Sequence, residues 1–173
     1  MVTLGRLGLL VAAVAVVTSP AAGAMRTDVP CTGAMLSGSF KAIPGSAGAG
    51  NIVYRLQLEN ISSTACFTTG VPGVLLLDAR GGRLPTHGAF AGKPGVLTAV
   101  MVPLFPGKSA TLTARFSPDV PGRGEPVLKH ACEPTAYRLR VTPAGGGTVV
   151  VPISPPTPVC EHGSLQLTSF VAG

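Results

Sequence analysis

The stretch Asn51-Ile-Val-Tyr-Arg-Leu-Gln-Leu-Glu-Asn60 decides the fold class, because apolar and polar side chains alternate along it. A repeat of two residues is typical of a β-strand that buries one face and exposes the other. The apolar set predicted to face the core is Ile52, Tyr54, Leu56 and Leu58, and the outward set is Val53, Arg55, Gln57 and Glu59.

Short apolar runs separated by turn signals continue on both sides of this stretch. Pro-Gly occurs five times, at 44–45, 72–73, 94–95, 106–107 and 121–122. This dipeptide favours turns, since proline presets the first turn residue and glycine accepts a positive φ at the next. The predicted additional strands are 35–41, 74–79, 97–102, 110–116, 137–142, 148–153 and 165–171.

The arrangement of these runs predicts an all-β protein, because no segment after residue 24 sustains a helical repeat. Many short strands joined by turns form either an antiparallel sandwich or a barrel. We predict an antiparallel immunoglobulin-like β-sandwich with two disulfides, since two bridges and loops of unequal length suit Greek-key connections. The chain has no tryptophan to pack on a bridge, which argues against the antibody domains proper.

The N-terminal segment has the three parts of a secretory signal peptide. A basic start ending at Arg6 precedes an apolar run from Leu7 to Val17, and Ala22-Gly-Ala24 supplies a small-x-small cleavage site. The run is shorter than the roughly 20 residues that a membrane-spanning helix needs. We therefore expect cleavage after Ala24 and a single domain over 25–173. Cys31 lies too far downstream to serve as a lipid-modified cysteine.

The chain contains four cysteines, and an export signal places them in an oxidising compartment. Three pairings are open to four cysteines. We favour sequence neighbours, Cys31 with Cys66 and Cys132 with Cys160. Each bridge would close a loop of about 30 residues and contribute roughly 3–4 kcal/mol in the chain-entropy model.

The polar segment that follows the opening stretch is interpreted as a corner and not as a site. Asn60 to Thr64 supply side chains that bond locally to turn backbone. Cys66 ties the segment down, and Gly70-Val-Pro-Gly73 turns the chain into the next apolar run. Each residue type here has a structural role.

These pieces together resemble a family of secreted actinobacterial proteins that is catalogued only as a domain of unknown function. The resemblance covers nearly all of the mature chain, with Val71 standing where an aromatic residue is usual and Phe116 where tryptophan is frequent. It implies an exported β-rich domain with two disulfides and no assigned activity, so no catalytic residues carry over. The matching segments are Gly48-Ala-Gly-Asn51, Leu58-Glu-Asn60, Ser63-Thr-Ala-Cys66, Gly70-Val-Pro-Gly73, Leu77-Asp78, Val102-Pro-Leu-Phe-Pro-Gly107 with Ala110, and the late Cys132 and Cys160.

The signals for catalysis and for nucleic-acid binding are weak. There is no Gly-x-Ser-x-Gly, the thiols are predicted to be bridged, and the few carboxylates are dispersed. The glycine-rich segment 45–50 leads into a strand and not into a helix, which disfavours a phosphate-binding loop. The 13 Lys and Arg against 7 Asp and Glu form no basic run, and export argues against nucleic acid. We predict no enzyme activity and no cofactor.

One constellation has the chemistry of a metal site. If Cys132 and Cys160 join antiparallel strands in register, His130 and His162 would face each other, with Cβ atoms about 5 Å apart. Two imidazoles could then hold Zn²⁺ or Cu²⁺, with Glu133 or Glu161 as an additional ligand. The alternative is two solvent-exposed loop histidines.

The sequence therefore predicts a non-enzymatic module, secreted and extracellular or associated with the cell wall. Its expected partner is a cell-envelope polymer or another exported protein, bound through sheet faces or through the long loops 81–95 and 117–131. We expect no nucleic-acid partner and no transmembrane segment in the mature chain. The alternatives are a metal-binding protein using His130 and His162 and, behind it, a hydrolase.

Overall fold

The computed structural model describes residues 29–92, 100–128, 131–132 and 134–173, so the predicted leader at 1–24 lies outside the described residues. The described segments contain strands β1 (Leu36–Ala42), β2 (Ile52–Asn60), β3 (Cys66–Thr69), β4 (Gly73–Leu77), β5 (His87–Phe90), β6 (Met101–Leu104), β7 (Ser109–Phe116), β8 (Val127–Leu128), β9 (Ala131–Cys132), β10 (Thr135–Thr142), β11 (Val149–Pro158), β12 (Ser164–Leu167) and β13 (Val171–Ala172). Short 3₁₀ turns occupy Gly33–Met35 and Glu161–Gly163.

Nine of these strands form one sheet in the order β4-β10-β11-β1-β2-β7-β12-β5, with β13 paired to β7. Most neighbours are antiparallel, whereas β1 with β11 and β12 with β5 are parallel. The pairs β3–β6 and β8–β9 form two small separate sheets.

The large sheet curls until its two ends meet. The Leu84 N–H donates to the Leu76 carbonyl at 3.0 Å, and the Leu76 N–H donates to Thr86 Oγ1 at 2.9 Å. These bonds join strand β4 at one end of the order to the segment that enters β5 at the other. The result is a nearly closed, barrel-like sheet.

The core lies inside this curl, and the alternation in β2 is the reason. Tyr54, Leu56 and Leu58 are at most 1% exposed. The Tyr54 ring stacks on Phe40 of β1, with ring centroids 4.7 Å apart. Each such side chain contributes roughly 1.5–3 kcal/mol by leaving water. Buried residues of β10 and β11 complete the same cluster, namely Leu139, Val141, Val151 and Ile153.

The all-β prediction with two disulfides is confirmed. The immunoglobulin-like sandwich is not confirmed. Strand β1 pairs with β11 on one side and with β2 on the other, and it thereby joins β4, β10 and β11 to the remaining strands in a single curled sheet. The predicted strand at 97–102 begins later, at Met101, and its first residues fall in 93–99, outside the described residues. Strands β3, β5, β8 and β9 were not predicted, since they are only two to four residues long.

Both disulfides join neighbours in sequence. Cys31 is bonded to Cys66 and Cys132 to Cys160, with Cα–Cα distances of 5.0 and 5.4 Å. All four cysteines are buried. Within the described parts of the chain, no helix is long and apolar enough to cross a membrane.

Candidate functional site

The polar corner after β2 is a structural feature built around Asn60. Its side chain is fully buried, and its Nδ2 donates to the carbonyls of Thr64 and Leu104 at 2.8 and 2.9 Å. Its Oδ1 accepts bonds from the backbone N–H and the hydroxyl of Ser62. Every polar atom of the amide is therefore occupied in holding the corner, as the sequence predicted.

The thiols are unavailable for nucleophilic catalysis or metal binding, because all four cysteines are in disulfides. Asp78 is also engaged in structure, since its Oδ1 accepts the backbone N–H groups of Arg80 and Gly82 at 2.8 and 2.7 Å. This arrangement is an Asx-type turn that closes the connection after β4. The Oδ1 atom of Asp78 is therefore engaged in holding this turn.

Glu125 lies at the centre of a cluster of backbone hydrogen bonds that also includes the ionisable side chain of His162. Its carboxylate accepts the backbone N–H groups of Gly122, Glu161 and His162, the one from Glu161 at 2.8 Å. The residues Glu161 and His162 have positive φ angles of 48° and 54°, which aims successive N–H groups at one point. The cluster fastens the loop 117–126 to the turn that follows Cys160.

The pKa of Glu125 reflects this enclosure. Burial raises it, but the three backbone hydrogen bonds and the nearby His162 act in the opposite direction, and the pKa falls below its ordinary value. The side chain is only 7% exposed. Glu125 is therefore a carboxylate held in its charged form by backbone donors, which is a structural clamp.

His162 lies at the edge of this clamp, with its side chain 57% exposed and its Nδ1 3.5 Å from Glu125 Oε1. The ladder between β10 and β11 ends at the pair Thr135 and Pro158, and a 3₁₀ turn follows. The strand register assumed for the histidine pair therefore does not extend to His162.

The other predicted partners at this place, His130 and Glu133, lie outside the described residues. Among the residues that the structure describes, no group of three or more His, Cys, Asp or Glu side chains could hold a metal ion.

The glycine-rich loop and the proline-rich segment come together at one open groove. Residues 47–52 and 155–158 line it, and its volume is about 520 Å³. The Tyr54 hydroxyl reaches it from the core and donates to the Pro155 carbonyl at 3.1 Å. Burial raises the pKa of Tyr54, with the Thr157 hydroxyl acting in the opposite direction, so the phenol stays a neutral donor. Asp119 is the other titratable lining residue, so the groove lacks a nucleophile with an adjacent base.

A further functional candidate is the outward surface of β1, β2 and β7, which we call the polar face. Its side chains are hydroxyls, amides and charged groups, with Val53 as the one aliphatic side chain. Gln166 of β12 extends it, because it lies opposite Arg115. The polar face comprises Ser37, Ser39, Lys41, Val53, Arg55, Gln57, Glu59, Ser109, Thr111, Thr113 and Arg115.

Three cations are arranged diagonally across the polar face. Lys41 and Arg55 are direct cross-strand partners, and Arg55 lies opposite Thr113, two residues from Arg115. Directly opposed side chains have Cβ atoms about 5 Å apart, and diagonal ones about 7–8 Å. All three side chains are exposed. The polar face therefore presents a short line of positive charge bordered by hydroxyl and amide groups.

These cations are not neutralised by acids of the described chain. The ion pair found there is that of His162 with Glu125, and no carboxylate of the described residues lies within 4.0 Å of Lys41, Arg55 or Arg115. The Nε of Arg115 donates to Asn51 Oδ1 at 3.0 Å, and this bond orients the side chain. The bond does not use the two terminal nitrogens of the guanidinium group. The arrangement can bind anions without first breaking an ion pair.

The alternation in 51–60 predicted that Arg55 faces outward, but the sequence did not single out Lys41 or Arg115. Their proximity depends on the register of β1 with β2 and of β2 with β7, across loops of different length. The sequence did contain a signal for this cationic surface, because three predicted strands each carry a basic residue, namely Lys41, Arg55 and Arg115.

Comparison with known proteins gives a family and no activity. A search of curated proteins found no match, and a search of solved structures found none either. A family model matches residues 31–171, from the first cysteine to the last strand. Since that match spans most of the chain, the protein belongs to the family described as domain of unknown function DUF4232.

Proposed function

We propose that this protein is an exported, non-enzymatic module that binds a component of the cell envelope or another exported protein. The polar face is the observation that carries the proposal. Lys41 and Arg55 are directly opposed, and like charges in that position destabilise a sheet. An anionic ligand would convert this unfavourable pair into a binding site.

Export is supported by the leader pattern of residues 1–24 and by the two buried disulfides. Such bridges persist in oxidising compartments and are rare in the cytosol. A secreted or wall-associated protein of actinobacterial type is consistent with both features. In that setting the protein meets polymers and proteins of the envelope before any other partner.

The immunoglobulin-like sandwich is part of the proposal. The strand order of the single curled sheet supports it: in a sandwich of this type, β4, β10 and β11 would form one layer and β1, β2, β7 and β12 the other. Only two residue pairs of β1 with β11 would then connect these layers, Phe40 with Ile153 and Lys41 with Ser154. The order β4-β10-β11 beside β1-β2-β7 parallels the C-F-G and A-B-E strands of immunoglobulin domains. The polar face is then the outer surface of one layer.

A binding role without catalysis is supported by the state of the reactive groups. The thiols are bridged, and Asp78 and Glu125 accept backbone hydrogen bonds. A metal-binding role through His130 and His162 is the second candidate, favoured by the exposure of the His162 imidazole. A hydrolase would need a nucleophile beside a base, or two facing carboxylates, and the clusters described above contain neither pair.

Co-sedimentation with isolated cell-envelope fragments tests the proposal. The oxidised protein is compared with a Lys41→Gln/Arg55→Gln variant and with a control, Arg80→Gln/Arg138→Gln, which loses the same charge from exposed positions outside the polar face and outside both long loops. We expect retention by the wild type and the control at roughly 0.15 M salt, where the Debye length is about 8 Å. Loss of retention in the polar-face variant supports the proposal, and absence of retention for the wild type contradicts it.

A further inference from the structure

We propose that the polar face binds a linear polymer in which phosphodiester groups alternate with hydroxyl-bearing units. This inference rests on the proposed function and specifies its ligand. Lys41, Arg55 and Arg115 supply the contacts to phosphate, and the neighbouring serine, threonine and glutamine side chains supply those to hydroxyl groups.

The arrangement of the cations favours phosphate over carboxylate. Lys41 and Arg55 are directly opposed on two neighbouring strands, about 5 Å apart at Cβ. A phosphodiester offers two charged, unesterified oxygens, one for each cation, while its two ester bonds carry the polymer chain onward from the same phosphorus. The two oxygens of a carboxylate are coplanar and match the fork of a single arginine best.

A polymer, and not a single ion, fits the diagonal that continues to Arg115. The step from Arg55 to Arg115 is a diagonal cross-strand step of about 7–8 Å, and the Arg115 Nε is bonded to Asn51, which lies on the opposite diagonal from Arg55. A second phosphate on the same chain would meet Arg115, whose orientation is fixed by Asn51. The three cations would therefore contact successive phosphate groups along one polymer chain.

The hydroxyl-bearing unit is matched by the remainder of the polar face. Next to the cations lie Ser39, Gln57 and Thr111 in one cross-strand row, and Thr113 beside Arg55. The Thr113 hydroxyl lies 3.4 Å from that of Thr168, which extends the row of hydroxyls toward β12. These groups both donate and accept, as sugar or polyol hydroxyls require.

A protein partner fits the polar face less well. Stable protein interfaces are centred on buried aromatic or aliphatic anchors. The exposed large apolar residues of the described chain lie elsewhere, apart from Val171 at the margin beside Thr111. The polar face also lacks an exposed aromatic ring, which disfavours a neutral glycan held by ring stacking.

The test is calorimetric titration of the oxidised protein with three soluble polymers of similar length: poly(glycerol phosphate), polygalacturonate and dextran. We expect poly(glycerol phosphate) to bind most tightly and dextran to give no heat of binding. The logarithm of the binding constant should fall with the logarithm of salt concentration, by about 0.7 for each phosphate neutralised, as for single-stranded nucleic acids.

Matched triple variants locate the site. Lys41→Gln/Arg55→Gln/Arg115→Gln should weaken binding at least about tenfold, since exposed ion pairs contribute up to about fivefold each. Its salt slope should also flatten. Arg80→Gln/Arg138→Gln/Arg140→Gln loses the same charge away from the polar face and outside the loops 81–95 and 117–131, and it should change affinity less than threefold. Thermal unfolding of both variants checks that they are folded.

Three results would overturn the inference: no binding of poly(glycerol phosphate), equal binding of polygalacturonate, or equal losses in the two triple variants. Sedimentation of the same proteins with whole envelope fragments separates this from the proposed function. Retention of the wild type that survives in the polar-face triple variant would reject the phosphodiester site and leave an envelope-binding role at another surface.

Discussion

Replacing Glu125 with glutamine should loosen the clamp between the loop 117–126 and the turn after Cys160. The carboxylate oxygen Oε2 accepts the N–H groups of Gly122 and Glu161, and Oε1 accepts that of His162. In Glu125→Gln, one of these oxygens becomes an NH₂ donor that faces a backbone donor. The remaining oxygen loses the charge that strengthens its bonds.

The expected cost follows from the number and type of bonds affected. A hydrogen bond to a charged group contributes about 1.5–3 kcal/mol, and the loop is close enough to solvent for water to replace part of a lost bond. We therefore expect Glu125→Gln to lower the free energy of unfolding by about 1.5–3 kcal/mol. At roughly 2–4 °C per kcal/mol for a domain of this size, the melting temperature should fall by about 3–12 °C.

The effect should depend on pH in a defined direction. The folded pKa of Glu125 is below its ordinary value, so folding favours the charged form. The stabilisation is complete above the unfolded pKa of about 4.3 and is lost as pH falls through the lower folded pKa. The stability difference between the wild type and Glu125→Gln should therefore be constant near neutrality and shrink in acid.

Equilibrium unfolding in urea with the disulfides intact, repeated from pH 7 down to pH 2, measures this difference. Asp119→Asn is the matched control, because Asp119 is an exposed carboxylate of the same loop. The control should stay within about 0.5 kcal/mol of the wild type, as surface substitutions usually do. A Glu125→Gln protein as stable as the control at every pH would refute the clamp.

Two further predictions concern the corner and the histidines. Asn60→Ala should destabilise the protein by about 1–3 kcal/mol in urea unfolding, because it leaves the buried Leu104 carbonyl without its donor. A loss below about 0.5 kcal/mol, the range of ordinary surface substitutions, would show that the corner holds without the amide. In zinc titrations, His130→Ala should abolish tight uptake if the protein is a metal binder, and unchanged uptake would reject the pair of His130 with His162.

The sequence predicts those parts of the fold that depend on local patterning. The alternation over 52–58 gave β2 with the correct buried face, because a period of two survives any tertiary arrangement that covers one side. The corner at Asn60 was equally predictable, since an amide followed by hydroxyl residues bonds to nearby backbone wherever it lies. Short-range chemistry explains both successes.

The parts that were not predicted depend on distant segments. Strand β5 pairs in parallel with β12, more than seventy residues away in sequence, and its four residues His87–Phe90 carry no clear alternation. The Glu125 clamp joins residues 36 positions apart through positive φ angles at Glu161 and His162. Neither Glu161 nor His162 is a glycine, so their residue types do not predict a positive φ angle.

The charged residues fall into two kinds, and the difference indicates where function lies. The Glu125 carboxylate is almost fully enclosed and satisfied by backbone donors, so it stabilises the fold that holds it. Lys41 and Arg55 do the opposite: they are exposed, directly opposed and without an acid partner in the described chain. A sheet selected for stability alone would carry opposite charges or neutral residues at such a pair, a gain of up to about 1 kcal/mol. Since this unfavourable pair sits between β1 and β2, whose opposite faces are packed in the core, its explanation is best sought in a ligand and not in the fold.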